Sequence, residues 1–384
     1  MIKLRKVVNN LIDYLKPGQT LGIIGGGQLG QMLALDAKSL GMKVIILDPQ
    51  KNCSAAQVSD EHIIASYDDL LALENLAKKA DVLTYEFENV DLQALKQLSI
   101  KAYLPQGVKL LEITKNRLRE KIFLKEHNLN VVPFLAVDSM LDLKKAIQKI
   151  GYPCVLKTCE GGYDGKSQLK LVSDHDLTVA SEILSQGPCI LEGWLDFSLE
   201  CSVMVARNIA GQISVFEVSE NVHQNHILHL SIVPARIEKN LQDTAKKAAL
   251  KIAEALDLHG ILGVEMFVGK DGLLYINELA PRPHNSGHYS IEACNFSQFA
   301  AHNRAIFNWP MPQIKLHQPV VMVNVLGQHV KAVTELIAKK PAWHFHDYGK
   351  NKAALDRKMG HVTILTDDLE QTLAEIKKTK VWPD

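Results

Sequence analysis

Two glutamates stand where their types and spacing suggest chemistry: Glu265 in GVEMFV and Glu278 in YINELAPRPHNSG. Each lies in a short apolar run of strand character, and the runs are joined by the turn sequence GKDG. Such strands are expected to be antiparallel neighbours, which would bring both carboxylates to one face. Hard oxygen ligands in that arrangement suit magnesium, with manganese as a substitute, held between carboxylates and nucleotide phosphates. Asn277 adds a polar group beside Glu278. The alternative is a structural salt bridge, because a buried carboxylate needs either a cation or a base.

Two glycine-rich runs point to phosphate. The run Glu160–Gln168, EGGYDGKSQ, sits between two strand-like stretches and reads as a hairpin flap. Its glycines and Lys166 would close over a polyphosphate and exclude water, while Lys157 at the end of YPCVLK would reach phosphate oxygens as a point charge. A solvated lysine beside an ordinary turn is the plainer alternative. The run Gly25–Gly30 fits G-x-G-x-x-G between a strand and a helix, and Asp48 closes the next strand as a ribose-binding acid would. Taken alone this suggests a dinucleotide. The loop's physics asks only for some phosphorylated ligand at a helix N-terminus, or for no ligand and tight strand–helix packing.

These residues need a framework. From Thr20 the chain alternates strand and helix (LGIIGG, QLGQMLALDAKSLG, KVIILD, a helix near Tyr67–Lys79, DVLTYEF), which implies parallel strands in a doubly wound α/β sheet. From Thr114 a charged helix, TKNRLREKIFLKEHN, leads into a small mixed lobe with a helix over Leu141–Ile150. A larger, mostly antiparallel α+β region follows, with a helix over Leu241–Leu256, and after Pro310–Pro312 comes a last segment. The expected division is an N-terminal extension at 1–20, a Rossmann-like domain at 21–113, a nucleotide-binding domain at 114–310 with its flap lobe at about 114–188, and a small C-terminal domain at 311–384. The stretch MIKLRKVVNNLIDYLKPGQ reads as a short amphipathic helix rather than a signal peptide.

Composition narrows the function. In 384 residues, Lys+Arg 43 balances Asp+Glu 43, so no global positive field favours nucleic acid. No apolar run approaches the roughly 20 residues needed to cross a bilayer. The six cysteines lie mostly in apolar runs without metal-ligand spacing, which suggests buried thiols and a reducing cytoplasm.

In order along the chain, IIGGGQLGQM, TYEFENV, GGYDGK, APRPHNSGHYSIEAC, YGK and RKMGHVT resemble the ATP-grasp ligases. More narrowly they resemble the N5-carboxyaminoimidazole ribonucleotide synthetase family of purine synthesis, from about Leu21 to about Thr366. Ser167 departs from the family pattern, which usually has glycine there, and the resemblance offers no role for the extension before Leu21.

The resemblance implies an ATP-grasp fold and a reaction in which ATP and bicarbonate carboxylate 5-aminoimidazole ribonucleotide through carboxyphosphate, with two magnesium ions. It implies ATP held by Arg117, Lys157, Gly162, Gly165, Lys166 and Gln168, by Glu192, Gly193, Trp194 and Leu195 around the adenine, and by Glu200, His223, Asn277 and Glu278. For LEGWL the sequence adds its own argument: a strand passing into an irregular segment exposes backbone groups able to read a base edge. The ribonucleotide would meet Tyr163, Asp164, Lys350 and Arg357, with Gln28 and Glu86 nearby. Bicarbonate and its phosphorylated form would face Arg282 and His284. Lys166 is expected to steady the transferring phosphate, and Asp164 to orient the amine or accept its proton. A cytoplasmic homodimer is implied by the same resemblance.

Three rivals remain at this stage. Another ATP-grasp enzyme, such as a formate-dependent transformylase or a biotin carboxylase, would not be expected to carry YGK followed by RKMGH. An NAD-dependent oxidoreductase would leave Glu265, Glu278 and the second glycine loop without purpose. A catalytically silent protein of this shape would not need candidates for every polar role.

Overall fold

The computed structural model describes residues 14–161 and 167–382. It contains three sheets. The first has four parallel strands in the order Glu61–Ile63, Lys43–Leu47, Thr20–Ile24, Val82–Tyr85. Its two central strands are apolar throughout their buried length because helices cover both faces. Leu21, Ile23, Val44 and Ile46 belong to one core with helix Gln28–Ser39, and Ile24, Ile45 and Leu47 to another with helices Leu70–Lys79 and Leu92–Lys101. Each such side chain contributes about 1.5–3 kcal/mol when fully buried. The side chains of Asp69 and Asp91 cap the latter two helices by accepting first-turn amides.

The charged stretch from Thr114 forms the expected helix over Arg117–Glu126, and a separate short helix precedes it. Lys109–Thr114 ends before Asn116, whose side chain caps a second helix, Arg117–Glu126, by accepting from Arg119 N. The flap lobe is a four-stranded antiparallel sheet in the order Phe134–Val137, Cys189–Gly193, Cys154–Thr158, Gln168–Leu171. Helices Met140–Ile150 and Leu177–Leu184 pack on it. The expected hairpin exists on its flanks, where Lys157 is in register with Gln168. Its tip, with Gly162, Tyr163, Asp164, Gly165 and Lys166, lies outside the described residues, as do residues 1–13 of the expected N-terminal helix. Residues 14–19 form a turn, and Leu15 is buried there, its amide donating to Phe307 O.

The third sheet is antiparallel and nine-stranded. Along it lie Leu274–Ala280, Gly260–Gly269, Phe197–Arg207, Ser219–Gln224, Ile227–Val233, Val320–Leu326, Lys358–Leu365 and His344–Asp347, with Ile213–Val215 paired to Phe197–Arg207. The ladder runs through the division expected at 310/311, since Ile227–Val233 pairs directly with Val320–Leu326. Helix Lys239–Ala255 packs against this sheet. All six cysteines are buried and free. Among the described residues no helix is long and apolar enough to cross a membrane.

Candidate active site

Glu265 and Glu278 are direct partners across the antiparallel pair formed by Gly260–Gly269 and Leu274–Ala280. One step further Met266 faces Ile276, so Asn277 is an extra, bulged residue. Bulges re-aim side chains at sheet edges, and Leu274–Ala280 is the edge strand here. His284 Nε2 lies 2.9 Å from Glu265 Oε1, and His284 Nδ1 lies 2.8 Å from Ser286 Oγ. Burial opposes ionisation of Glu265, but His284, His223 and Arg282 outweigh it and hold the carboxyl down to about 2. Glu278 is accessible to solvent although protein surrounds it, so it lines a cleft. That depth, and then the charges of Glu265 and Glu88, push its carboxyl up to about 7. Two facing carboxylates, one with its charge suppressed by the other, are the donor set a divalent cation satisfies. Among the described residues no cluster of three or more His, Cys, Asp or Glu side chains is gathered around one point. The pair therefore fits a magnesium ion that takes its other ligands from phosphate and water.

Arg117 and Lys157 act on Glu278 from the flap-lobe side, both favouring its ionised form. Arg117 Nη1 donates to Thr158 O at 2.9 Å and Gly161 O at 2.7 Å, gripping the base of the flap. Lys157 Nζ is 2.6 Å from Glu192 Oε2. Glu192 is buried, which by itself would raise its carboxyl, but Lys121 and Lys157 hold it below the usual range. Its carboxylate is thus engaged by cations rather than open towards a base. Strand Cys189–Gly193 does end in an irregular segment at Trp194 and Leu195. The amides of Gly193 and Trp194, however, donate to Pro133 O and Pro153 O within the lobe. Any reading of a base edge by those two residues therefore cannot use their N–H groups. Trp194 is exposed, with Lys170 Nζ 3.5 Å from its ring centre. Gln168 is exposed at the flap's return. Glu200 Oε2 lies 2.7 Å from His223 Nδ1, a contact that raises the imidazole against the effect of burial.

Three amides of the first glycine loop are already engaged by carboxylates. The amide of Gly26 donates to Asp48 Oδ2 at 2.7 Å, that of Gly27 to Glu86 Oε1 at 2.5 Å, and that of Gly30 to Glu86 Oε2 at 2.9 Å. Asp48 also accepts from Gln50 N and Tyr67 OH, which removes it from the ribose-binding role expected in a dinucleotide site. An incoming phosphate would meet two carboxylates where it needs donors. The glycines are required for close approach instead: a Cβ on Gly26 would lie 2.2 Å from Cys53 Sγ, and one on Gly27 would lie 2.7 Å from Glu86 Oε1. Tight packing is therefore the reading that these three amides support, and the dinucleotide reading loses its ribose acid.

Glu86 nonetheless faces the cleft's cations. Burial raises its carboxyl, and Arg282 lowers it. Gln28 is half-buried at the start of the helix beside it. Arg282 Nε is 2.9 Å from Glu88 Oε1, and its guanidinium also acts on Glu278 and Glu86. The YGK turn docks on this first unit through Gln57 Nε2, which donates to Gly349 O at 2.8 Å, and Lys350 feels the charge of Glu86. Lys350 Nζ donates to Lys358 O and Arg357 Nη1 to Lys352 O, each bracing the turn. Burial, and then the charge of Arg357, lowers Lys350 to about 8. Among the described residues no carboxylate forms an ion pair with either cation, Glu86 acting on Lys350 only from further off, and two cations held together in this way suit an anion. Asp347 accepts instead from Gly349 N, and Asp356 from Gln328 Nε2.

Sequence reasoning missed Glu120 and Lys121. Both are almost fully buried, and both reach the backbone around Glu278 from helix Arg117–Glu126. It also missed Glu88, the partner of Arg282. In the sequence Glu120 and Lys121 belong to a run of charges, which reads as a solvated helix face. TYEFENV carried Glu88 in plain view, but nothing local tied it to Arg282.

Three family models match the chain: the ribonucleotide synthetase preATP-grasp domain over residues 18–114, the ATP-grasp domain over 122–299, and the phosphoribosylaminoimidazole carboxylase C-terminal domain over 320–375. The N5-carboxyaminoimidazole ribonucleotide synthase of Bacillus subtilis is 46% identical over 370 residues, covering 96% of this chain and 97% of that protein. A crystal structure of an N5-carboxyaminoimidazole ribonucleotide synthetase in complex with ADP superposes with a TM-score of 0.94 at 49% identity, covering 97% of this chain and 99% of the other. The Aspergillus clavatus synthase, solved with ADP and 5-aminoimidazole ribonucleotide, superposes with a TM-score of 0.89 at 31% identity, covering 95% and 98%.

Proposed function

The chain belongs to the N5-carboxyaminoimidazole ribonucleotide synthases, a family of ATP-grasp enzymes, and from that membership we propose how its own residues divide the work. The reaction is the ATP-dependent carboxylation of 5-aminoimidazole ribonucleotide in purine biosynthesis. The observation that carries our reading is the meeting of Glu265 and Glu278 with Arg117 and Lys157 at one cleft.

Bicarbonate is the carboxyl donor in this reading. One of its oxygens attacks the γ-phosphorus of ATP, the bond to the β-bridging oxygen breaks, and ADP leaves as carboxyphosphate forms. Glu265 and Glu278, with Asn277 beside them, would hold magnesium, which when bound would supply positive charge to the phosphates. Lys157 and Arg117, with Lys166 from the flap, offset the charge spread over the transferring oxygens, and Gln168, Gly162 and Gly165 shape the flap over them. Glu192, Gly193, Trp194 and Leu195 form the wall for the base, and Glu200 with His223 holds the ribose. His284 orients Glu265, while Arg282, fixed by Glu88, clamps the bicarbonate and its phosphorylated form.

The ribonucleotide's phosphate is taken by Lys350 and Arg357, and its imidazole lies near Gln28, Glu86 and Tyr163. Its exocyclic amine then attacks the carboxyl carbon, the bond to phosphate breaks, and the amine's proton passes to Asp164 or to the departing phosphate. Flap closure keeps carboxyphosphate from water. On family resemblance we extend the proposal to a homodimer in the cytoplasm, where buried free thiols are at home. ADP release, measured with each substrate omitted in turn, tests the reading. It is expected to require both bicarbonate and the ribonucleotide, and full release without bicarbonate would overturn the carboxyphosphate route.

A further inference from the structure

Among the described residues Leu274–Ala280 is the edge strand of the large sheet, with no strand partner on one side of its backbone. Around the bulge this side is filled by charge. Lys121 Nζ donates to Ile276 O at 3.1 Å and to Asn277 O at 2.8 Å. The adjacent carboxylate, Glu120 Oε1, accepts from Leu279 N at 2.8 Å. These three hydrogen bonds bracket Glu278. Glu120 is 3% and Lys121 2% exposed, and an ordinary edge needs no buried ions to end it. Lys121 Nζ also lies 3.7 Å from Glu192 Oε1, on the flap-lobe sheet. One ammonium therefore joins the strand that carries the cation ligand to the carboxylate that holds Lys157.

We infer that Glu120 and Lys121 are positioning residues, a charged clamp that fixes the bulged backbone around Glu278 and sets its place relative to Lys157. The inference rests on the proposed cation site. Both are almost fully buried, and each acts through the backbone or through Glu192. Lys121→Met removes both carbonyl contacts, and Glu120→Leu removes the Leu279 contact. Glu120→Gln keeps an oxygen to accept from Leu279 N.

The test is calorimetric titration of ADP into the full chain, with Mn²⁺ and with EDTA, after circular dichroism establishes folding. The readout is the ratio of the two affinities, which general damage to the nucleotide site would leave unchanged. Lys121→Met and Glu120→Leu are expected to reduce that ratio by about tenfold, the change carried by about 1.4 kcal/mol, with Glu120→Gln within about twofold of wild type. Ratios equal to wild type in the first two overturn the clamp, as does a Glu120→Gln no better than Glu120→Leu. If Lys121→Met does not fold, Lys121→Arg carries the test, because it keeps the charge but replaces a compact ammonium with a planar fork. A loss of about threefold supports the clamp, and no loss overturns it. Glu278→Gln, measured alongside, separates the two levels. Should it leave the ratio unchanged, the cation site itself falls; should it abolish the ratio while the clamp variants match wild type, only the clamp falls.

Discussion

Glu86 Oε1 accepts from the amide of Gly27 at 2.5 Å, so the best-known motif in the sequence is closed by a carboxylate from the end of another strand. A methyl group at Gly27 would sit 2.7 Å from that oxygen and displace it. Gly27→Ala should therefore raise the KM for the ribonucleotide about tenfold or more, since a charge-assisted hydrogen bond is worth about 1.5–3 kcal/mol, while the KM for ATP stays near wild type. Steady-state kinetics with each substrate varied checks this. Titration of the wild-type chain with NAD should show no saturable binding.

Glu278→Gln should lower turnover by roughly 10²–10³-fold or more with the fold intact, because charge stabilisation in the transition state is lost. Near-wild-type rates at saturating magnesium would remove Glu278 from the metal site.

Lys350 gives a pH dependence with a definite sign. Its ammonium loses its proton near pH 8 rather than near the ordinary 10.5. The free enzyme thus holds its phosphate cation below pH 8 and loses it above. We expect kcat/KM for the ribonucleotide to fall above pH 8, with the Lys350→Met variant lacking that limb. Stability moves the other way. Between pH 8 and 10.5 the unfolded chain binds this extra proton, so Lys350's own contribution to stability grows as pH rises and is not the cause of the fall.

Ser167 has φ +58°, a left-handed conformation that costs a side chain about 1–3 kcal/mol. Its carbonyl accepts from Thr158 N at the base of the flap. Ser167→Gly should preserve the KM for ATP. Ser167→Val, whose branched side chain tolerates this conformation least, should raise that KM and lower the thermal midpoint. Equal behaviour of the two variants would show that the flap does not depend on this turn.

The sequence made some of this architecture legible and hid the rest for identifiable reasons. The parallel strands announced themselves because burial on both faces leaves almost only Val, Ile and Leu. The Glu265–Glu278 pair was readable because a short turn fixes the register of a hairpin. The glycine loop misled because its amides are taken by Glu86, 59 residues beyond Gly27, and local pattern carries no sign of that. Glu120 and Lys121 look like neighbouring charges on a solvated helix, and it is packing against the edge strand and the flap-lobe sheet that buries them.

The ladder that joins Ile227–Val233 to Val320–Leu326 has a consequence for how the chain is made. During synthesis the first of these strands emerges long before its partner, and until then the edge that Leu230–Val233 will share with Val320–Val323 offers unpaired amides and carbonyls to any passing chain, its other edge being paired to Ser219–Gln224. Closing so long a loop is slow, and the wait is when association competes with folding. A polypeptide stopped after Pro312 would keep the nucleotide cleft's residues but never leave that vulnerable period, and it should accumulate as aggregate rather than as a smaller enzyme.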